Sequence, residues 1–440
     1  MKTMPVINRD FPLSAEARKA HLKAILEDSK PISSVKVPGH GSQNVYRIPL
    51  QFLSYNPYNT RFLSQAKTWQ KRLGRRLSNE NPQDVEKIEE FLWSYKKDKN
   101  ENTINSLIKE GQLQPGVVTI DGLILAGNRR FRLLNEIDRN PDKYNTQHAN
   151  IEGLKCFEAA ILGTVLTEKE IVRYESFYQY GAEDKVDYDP IQKYIAAHDQ
   201  KDYGFELSEI AANFAALTNG DIKIVQRWLD VYALMAEYLE YIGEPEIYTA
   251  LFGNEESFLN LLDTKKSLER GRTKNESWDY DDMDIADLQL RYFDYIRVGK
   301  STHDFRIFKK IFLNKSRWKD FNKSVDETVG KASEEIFSID EYRSKYPDET
   351  EDTISEIRNN DFREKAEKPL NQLYGTENAY LVSKADEETP YKTAQQAYQK
   401  LEKLSTFLDL DLDRISDLDK LLDKVREIQK LVGKIKMKID

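Results

Sequence analysis

The sequence has no long hydrophobic run, only one cysteine and five scattered histidines. No stretch approaches the roughly 18 consecutive apolar residues that a membrane-spanning helix needs, and the first residues lack the apolar core of a signal peptide. We therefore expect a cytoplasmic protein with no membrane partner. Cys156 cannot form an internal disulfide, and the histidines show none of the close spacings of zinc sites, so a structural metal is not expected.

The chain also lacks an excess of positive charge, with 66 Lys and Arg against 75 Asp and Glu and a formal net charge of -9. Non-specific DNA affinity comes from Lys and Arg that neutralise phosphates, so this balance argues against a protein that coats DNA through bulk charge. Any nucleic-acid contact must be local. Positive charge is concentrated from Lys67 to Arg76 and in the run GNRRFR, whereas 333–361 is rich in Glu and Asp and is interpreted as a solvated face.

The 440 residues are enough for two or three domains. Residues 1–45 are predicted to be a flexible segment, with one short helix followed by a mobile connection rich in Pro, Gly and Ser. Alternating helical and strand patterns predict a mixed α/β domain over 46–180, and amphipathic helices follow over 181–330. Residues 331–440 are predicted to form an acidic linker and a C-terminal helical region. The fold class expected is therefore α+β.

Two runs of apolar residues near the C-terminus recur at alternating three- and four-residue steps, as in the seam of a coiled coil. A helical hairpin that packs on itself and a pair of helices that joins two chains explain these runs equally well. The stretch DLDLD, 409–413, is predicted to bend the chain between them. The runs are Ala394, Ala397, Leu401, Leu404 and Leu408, and then Leu421, Val425, Ile428, Val432, Ile435 and Ile439.

The segment AGNRRFRLLNEI predicts an anion site. A strand ends at Leu125, Gly127 allows a close turn of the backbone, and a helix begins with Arg129, Arg130 and Arg132. Free amides at a helix start, the positive end of the helix dipole and guanidinium groups together suit a phosphate. The alternative interpretation is a glycine cap followed by exposed charges.

Two further blocks accompany this motif in a fixed order. IPLQFLSYNPYNTRF, 48–62, has the form of a strand and an Asn-Pro turn that ends in Arg, and SLIKEGQLQPGVV, 106–118, has the form of a helix and a Gln-Pro loop that enters a Val-rich strand. With GNRRFRL, 127–133, these blocks resemble the ParB family of partition proteins, which share a fold with sulfiredoxin. A longer basic insertion between the first two blocks departs from the family pattern.

The resemblance implies that CTP or ATP binds with Mg²⁺, and that Glu175 is the metal ligand and catalytic residue. Asn128 stands where the family has Glu, and Ser176 stands where it has Asn. These changes put hydrolysis in doubt more than binding, so slow nucleoside triphosphatase activity stays an open alternative. The implied nucleotide-binding residues are Arg61, Gln112, Gln114, Gly127, Asn128, Arg129, Arg130, Arg132 and Ser176.

The segment that follows, 187–235, looks like the helix-turn-helix region of ParB proteins. A first helix near ELSEIAANFA, a polar turn TNGD and a second helix IKIVQRWLDVY would place Lys223, Gln226 and Arg227 outward, where a major groove is read. A plain helical pair is the alternative. The resemblance thus implies DNA, a nucleoside triphosphate and a second copy of the chain as partners.

Three functions are carried forward. The first is a DNA-binding protein gated by a nucleotide, in partition, regulation or mobile-element maintenance. The second is a nuclease or nucleoside triphosphatase of a defence system, although a nuclease needs clustered carboxylates and only Asp121 and Glu175 are obvious candidates. The third is an interaction factor of a mobile element whose acidic C-terminal region binds another protein.

Overall fold

The computed structural model describes residues 13–95, 97–144, 151–180, 190–272, 278–300, 302–411 and 417–439. One compact unit extends to Leu370 and a second begins at Asn371. The domain divisions predicted at residues 180 and 330 both fall inside the first unit. Its mixed architecture, a small sheet near the N-terminus followed by helices, confirms the predicted α+β class.

The sheet in the described part of the chain has five strands in the order β1-β2-β5-β3-β4. β5 and β3 are parallel, and the other neighbours are antiparallel. Phe157 and Ala159 of the central strand belong to the hydrophobic cluster on one face, and Ala160 and Leu162 to the cluster on the other. The strands are β1 (Ser33–Val37), β2 (Gly41–Pro49), β3 (Gly116–Thr119), β4 (Ile124–Ala126) and β5 (Cys156–Leu162).

The prediction of a flexible segment up to residue 45 is wrong for its described part. Helix α1 (Ala15–Asp28) forms as predicted, but it is docked, since Leu22 is fully buried. The predicted mobile connection is instead the hairpin of β1 and β2. Gly39 and Gly41 adopt positive φ angles of 75° and 66°, so the glycines that suggested mobility form a tight turn.

Six further α-helices lie within the described residues up to Tyr180. Local signals explain several of their ends: the Asn81 side chain caps a helix that begins at Pro82, and Gly74 ends another in the left-handed conformation. The helices are α2 (Leu63–Leu73), α3 (Pro82–Ser94), α4 (Asn100–Glu110), α5 (Asn128–Arg139), α6 (Ile151–Leu154) and α7 (Glu168–Tyr180).

The described chain after α7 is helical, and α8 begins at Pro190. These helices are α8 (Pro190–Asp202), α9 (Leu207–Asn213), α10 (Ala215–Thr218), α11 (Ile222–Tyr241), α12 (Glu255–Arg272), α13 (Asp282–Arg297), α14 (Thr302–Phe305), α15 (Phe308–Phe312), α16 (Lys315–Ser333), α17 (Ile339–Lys345), α18 (Glu351–Asp411) and α19 (Leu418–Ile439). Among the described helices, none is long and apolar enough to cross a membrane. The end of the predicted DLDLD bend, from residue 412, lies outside the described residues.

The acidic stretch 333–361 is folded into helices, which corrects the expectation of an acidic linker. Glu341 and Ser338 form a capping box at the start of α17. The buried carboxylate of Glu351 pairs with Arg343 at 2.8 Å, and Ile354 is buried as well. Glu341 caps a helix and Glu351 is an ion-pair partner. A high content of acidic residues therefore does not by itself predict a linker.

Candidate functional site

The predicted anion site lies where the chain leaves β4 and enters α5. Gly127 occupies the position before the helix with a φ of 106°, and a Cβ atom there would lie 2.7 Å from Cζ of Phe157. Only glycine fits this close approach of helix and sheet without strain. The first amides of α5 have no acceptor within the helix and carry its positive dipole end, so the backbone itself favours an anion.

Three guanidinium groups gather at this helix start, from Arg61, Arg129 and Arg130. Arg130 donates from Nη1 to the carbonyl oxygen of Gln114, and Arg129 donates from Nη2 to Oδ1 of Asn100 at 3.0 Å. In the part of the chain that the structure describes, none of the three has a carboxylate within 4 Å, and Nε of Arg129 is buried without a hydrogen-bond partner. We call these three residues the arginine cluster.

The members of the arginine cluster disfavour one another's charge. Burial, and then the positive charge of Arg61, lowers the pKa of Arg130 to about 10. The same two causes lower the pKa of Arg129. Guanidinium groups that are half-buried, close together and not ion-paired with any described carboxylate are the arrangement that a bound anion would stabilise.

Glu175 of α7 lies next to the loop that carries Arg61. Its Oε2 accepts a hydrogen bond from Nδ2 of Asn56 at 2.9 Å, and its Oε1 accepts from the backbone amide and hydroxyl of Thr60 at 3.1 and 3.3 Å. Burial raises the pKa of Glu175 to about 7, although Arg61 and these hydrogen bonds act in the opposite direction. The carboxylate thus holds loop 56–60 in place.

Asn128 completes this arrangement. Its Oδ1 accepts from the backbone amide of Asn56 at 2.9 Å, and its Nδ2 donates to the carbonyl of Ile124 at 2.9 Å. The side chain therefore ties the start of α5 to loop 56–60 and to β4. Asn56 is the residue that sequence reasoning missed, although it lies inside the Asn-Pro block that carried the resemblance.

The remaining predicted nucleotide-binding residues divide between the arginine cluster and other places. The backbone carbonyl of Gln114 accepts a hydrogen bond from Arg130. The side-chain amide of Gln112 donates to the carbonyl of Glu158 in β5 and accepts from its backbone amide. Arg132 instead pairs with Glu136 at 3.1 Å, away from the cluster. Ser176 is fully buried and its hydroxyl has no hydrogen-bond partner among the described residues.

Comparisons of the chain with known protein families, with curated proteins and with solved structures found no match.

Helix α2, part of the basic insertion, connects the arginine cluster to the helical region. It begins directly after the turn that contains Thr60 and Arg61. The backbone amide of Ser64 donates to Oε1 of Gln192 in α8 at 2.9 Å, and Nε2 of Gln192 donates to Oγ of Ser64 at 2.7 Å. A displacement of Arg61 can therefore reach α8 through α2 and the buried hydrogen bonds between Ser64 and Gln192.

The predicted helix pair is present, and α8 packs against its second member. The first predicted helix is divided at Phe214 into α9 and α10, and Asn219 and Gly220 form the turn with positive φ angles. The side chain of Asp221 then caps α11. Ile210, Phe214 and Val225 of these helices and the residue between them are fully buried.

The three predicted DNA-contacting side chains differ in their availability. Lys223 is exposed on the first turn of α11, and Gln226 is exposed but donates to Asp230 at 2.9 Å. Arg227 forms two hydrogen bonds with the carboxylate of Asp263 in α12, at 2.6 and 2.9 Å. Two of the N–H donors of Arg227 are therefore already engaged by Asp263.

No cluster of carboxylates suited to a nuclease surrounds Glu175 among the described residues. One group of three potential metal ligands does occur among the described residues, and it lies in α8: His198, Asp199 and Asp202. Lys67 already pairs with Asp199 at 2.6 Å, and His198 contacts Asp202 at 3.2 Å. Asp121, the other carboxylate considered from the sequence, accepts a hydrogen bond from Thr119 in the turn between β3 and β4.

Proposed function

We propose that the protein binds a nucleoside triphosphate, CTP or ATP, at the arginine cluster and binds DNA through α11, so that the nucleotide controls the DNA contact in the manner of ParB proteins. The observation that carries this proposal is the cluster itself. Arg61, Arg129 and Arg130 meet at the start of α5, and among the described residues none of them forms an ion pair with a carboxylate. Such a site suits a polyanion, and the sequence blocks around it suggest a nucleotide.

The path through α2 supports control of one site by the other. Arg61 lies in the turn that precedes α2, Ser64 is bonded to Gln192 of α8, and α8 packs against α11. A triphosphate that binds one arrangement of this path more tightly than another would shift the position of α11. Efficient hydrolysis is not part of the proposal, because Glu175 is occupied with loop 56–60.

Replacement of Arg130 by Ala tests the proposal. We expect the variant to fold and to lose most of its affinity for CTP and ATP, because a contact between a guanidinium and a phosphate contributes roughly 1.5 to 3 kcal/mol. Titration calorimetry measures the affinity, and urea unfolding checks the fold.

Arg139→Ala is the matched control. Arg139 ends the same helix, about 16 Å from its start, and its guanidinium pairs with Glu89 instead. Loss of binding by Arg130→Ala alone supports the site. Equal nucleotide affinity of wild type and a folded Arg130→Ala variant contradicts the proposal.

A further inference from the structure

The resemblance implies a magnesium ion at Glu175, and the residues there do not fit one. The Glu175 side chain is 3 % exposed, and both of its oxygens accept hydrogen bonds from Asn56 and Thr60. A metal ion at this carboxylate would have to displace the bonds that hold loop 56–60. Both oxygens of Glu175 are therefore engaged by loop 56–60 inside the protein.

Nor does the start of α5 offer a second carboxylate. Asn128 stands where the family has Glu, it is 1 % exposed, and both its amide atoms are bonded, to the Asn56 amide and the Ile124 carbonyl. Magnesium is held in proteins by carboxylates and water together with the phosphates of its ligand. Among the described residues, no Asp or Glu comes within 4 Å of the three guanidiniums of the arginine cluster.

Positive charge at the site comes instead from the protein. The arginine cluster brings three guanidiniums and the amides of a helix start to one place, where burial and then the positive charge of Arg61 disfavour the charged forms of Arg129 and Arg130. A triphosphate without metal carries more negative charge than its magnesium complex. It would therefore relieve this repulsion more fully and accept more hydrogen bonds from the guanidiniums.

We infer that the arginine cluster binds the triphosphate as the free anion, without a divalent cation, and that Glu175 is a positioning residue for the loop that carries Arg61. This inference rests on the proposed function and specifies the form of its ligand.

Titration calorimetry of the full-length protein with inorganic tripolyphosphate, CTP and ATP, each in EDTA and in excess Mg²⁺, tests the first half of the inference. We expect binding in EDTA that is equal to or tighter than binding in Mg²⁺. Binding that requires Mg²⁺ would overturn the inference and leave the proposed function standing. Absence of binding in both buffers would overturn the two together.

Two variants of Glu175 test its positioning role. Glu175→Gln keeps an oxygen acceptor for Thr60, so we expect it to bind tripolyphosphate in EDTA nearly as well as wild type. Glu175→Ala releases loop 56–60 and should weaken binding roughly tenfold, the effect of one charged contact placed out of reach. Rescue by Gln separates positioning from metal binding, because an amide is a poor substitute for a carboxylate on Mg²⁺.

Equal loss of binding in folded Glu175→Gln and Glu175→Ala proteins would show that the negative charge is required and would overturn the positioning role. Urea unfolding establishes that each variant is folded. If Glu175→Ala does not fold, the comparison of EDTA with Mg²⁺ on the wild-type protein still decides whether a metal is needed.

Discussion

Glu175 has its carboxylate in a place where water cannot solvate it. Desolvation favours the protonated form and raises its pKa to about 7, and the hydrogen bonds from Asn56 and Thr60 offset only part of this cost. The loop that carries Arg61 is thus fixed by a group whose charge depends on pH within the physiological range.

This environment predicts a pH dependence of stability. Between about pH 4.3, the usual pKa of Glu, and about pH 7, the folded protein holds a proton at Glu175 that the unfolded chain has lost. The contribution of Glu175 to the free energy of unfolding is therefore full below this range and falls as the pH rises through it. Glu175→Gln cannot titrate and serves as the reference.

Urea unfolding of wild type and Glu175→Gln, measured in parallel across this pH range, isolates the effect because other groups cancel in the difference. We expect the stability of wild type relative to the variant to fall as the pH rises and to level off above about 7. A difference that is constant, or that grows with pH, would show that burial does not control this carboxylate.

The ion pair between α11 and α12 restrains the predicted DNA-contacting helix. Arg227 holds Asp263 through two hydrogen bonds, and this contact lowers the pKa of Asp263. A carboxylate that binds the guanidinium in this way occupies the place that a phosphate or a guanine would take. In the proposed complex the pair would compete with DNA for Arg227.

Asp263→Asn should raise the affinity for duplex DNA by roughly two- to fivefold, since a partly exposed ion pair is worth under about 1 kcal/mol. Replacement of Lys223 and Arg227 together by Ala should lower the affinity for duplex DNA and reduce the salt dependence of that affinity. Fluorescence anisotropy at several salt concentrations measures both. Asp320→Asn, on the exposed surface of α16, is the control for the change in net charge. DNA affinity that is unchanged both in Asp263→Asn and in the variant with Lys223 and Arg227 replaced would remove α11 from the proposed interface.

Local signals in the sequence predicted the elements better than the contacts between them. Gly127 and the arginines after it correctly placed the start of α5. Glycine alone does not distinguish a tight turn from a mobile segment, so the hairpin at Gly39 and Gly41 was missed. Its strands are recognised only by their pairing in the folded sheet.

The candidate site shows the same division. Arg129 and Arg130 follow from the motif, whereas the bonds of Glu175 to Asn56 and Thr60 join residues more than 100 positions apart, which spacing cannot reveal. The motif groups Arg132 with Arg129 and Arg130 as a nucleotide-binding residue only because the three are close in sequence. On the helix it points to Glu136, one turn further along the same face.

The two C-terminal apolar runs bear on how whole molecules associate. Near the gap between α18 and α19, Leu408 and Leu421 are half-buried, as a hairpin would require. Further along, Val432 and Ile435 are 55 % and 49 % exposed, and no side chain of α19 is fully buried. An intramolecular hairpin therefore leaves the outer part of the seam uncovered, and a second copy of the chain can cover it.

We expect Val432→Lys with Ile435→Lys to convert a dimer into a monomer, because each lysine would place a charge in the apolar seam. Met437→Lys is the matched control, since this 75 % exposed residue lies on the same helix outside the heptad positions. Deletion of residues 391–440 should give the same monomer and leave nucleotide binding intact. Sedimentation equilibrium measures the mass of each. A wild-type protein that is already monomeric, or a double variant that stays dimeric, would favour the hairpin alone and move any pairing of copies to the nucleotide-binding unit.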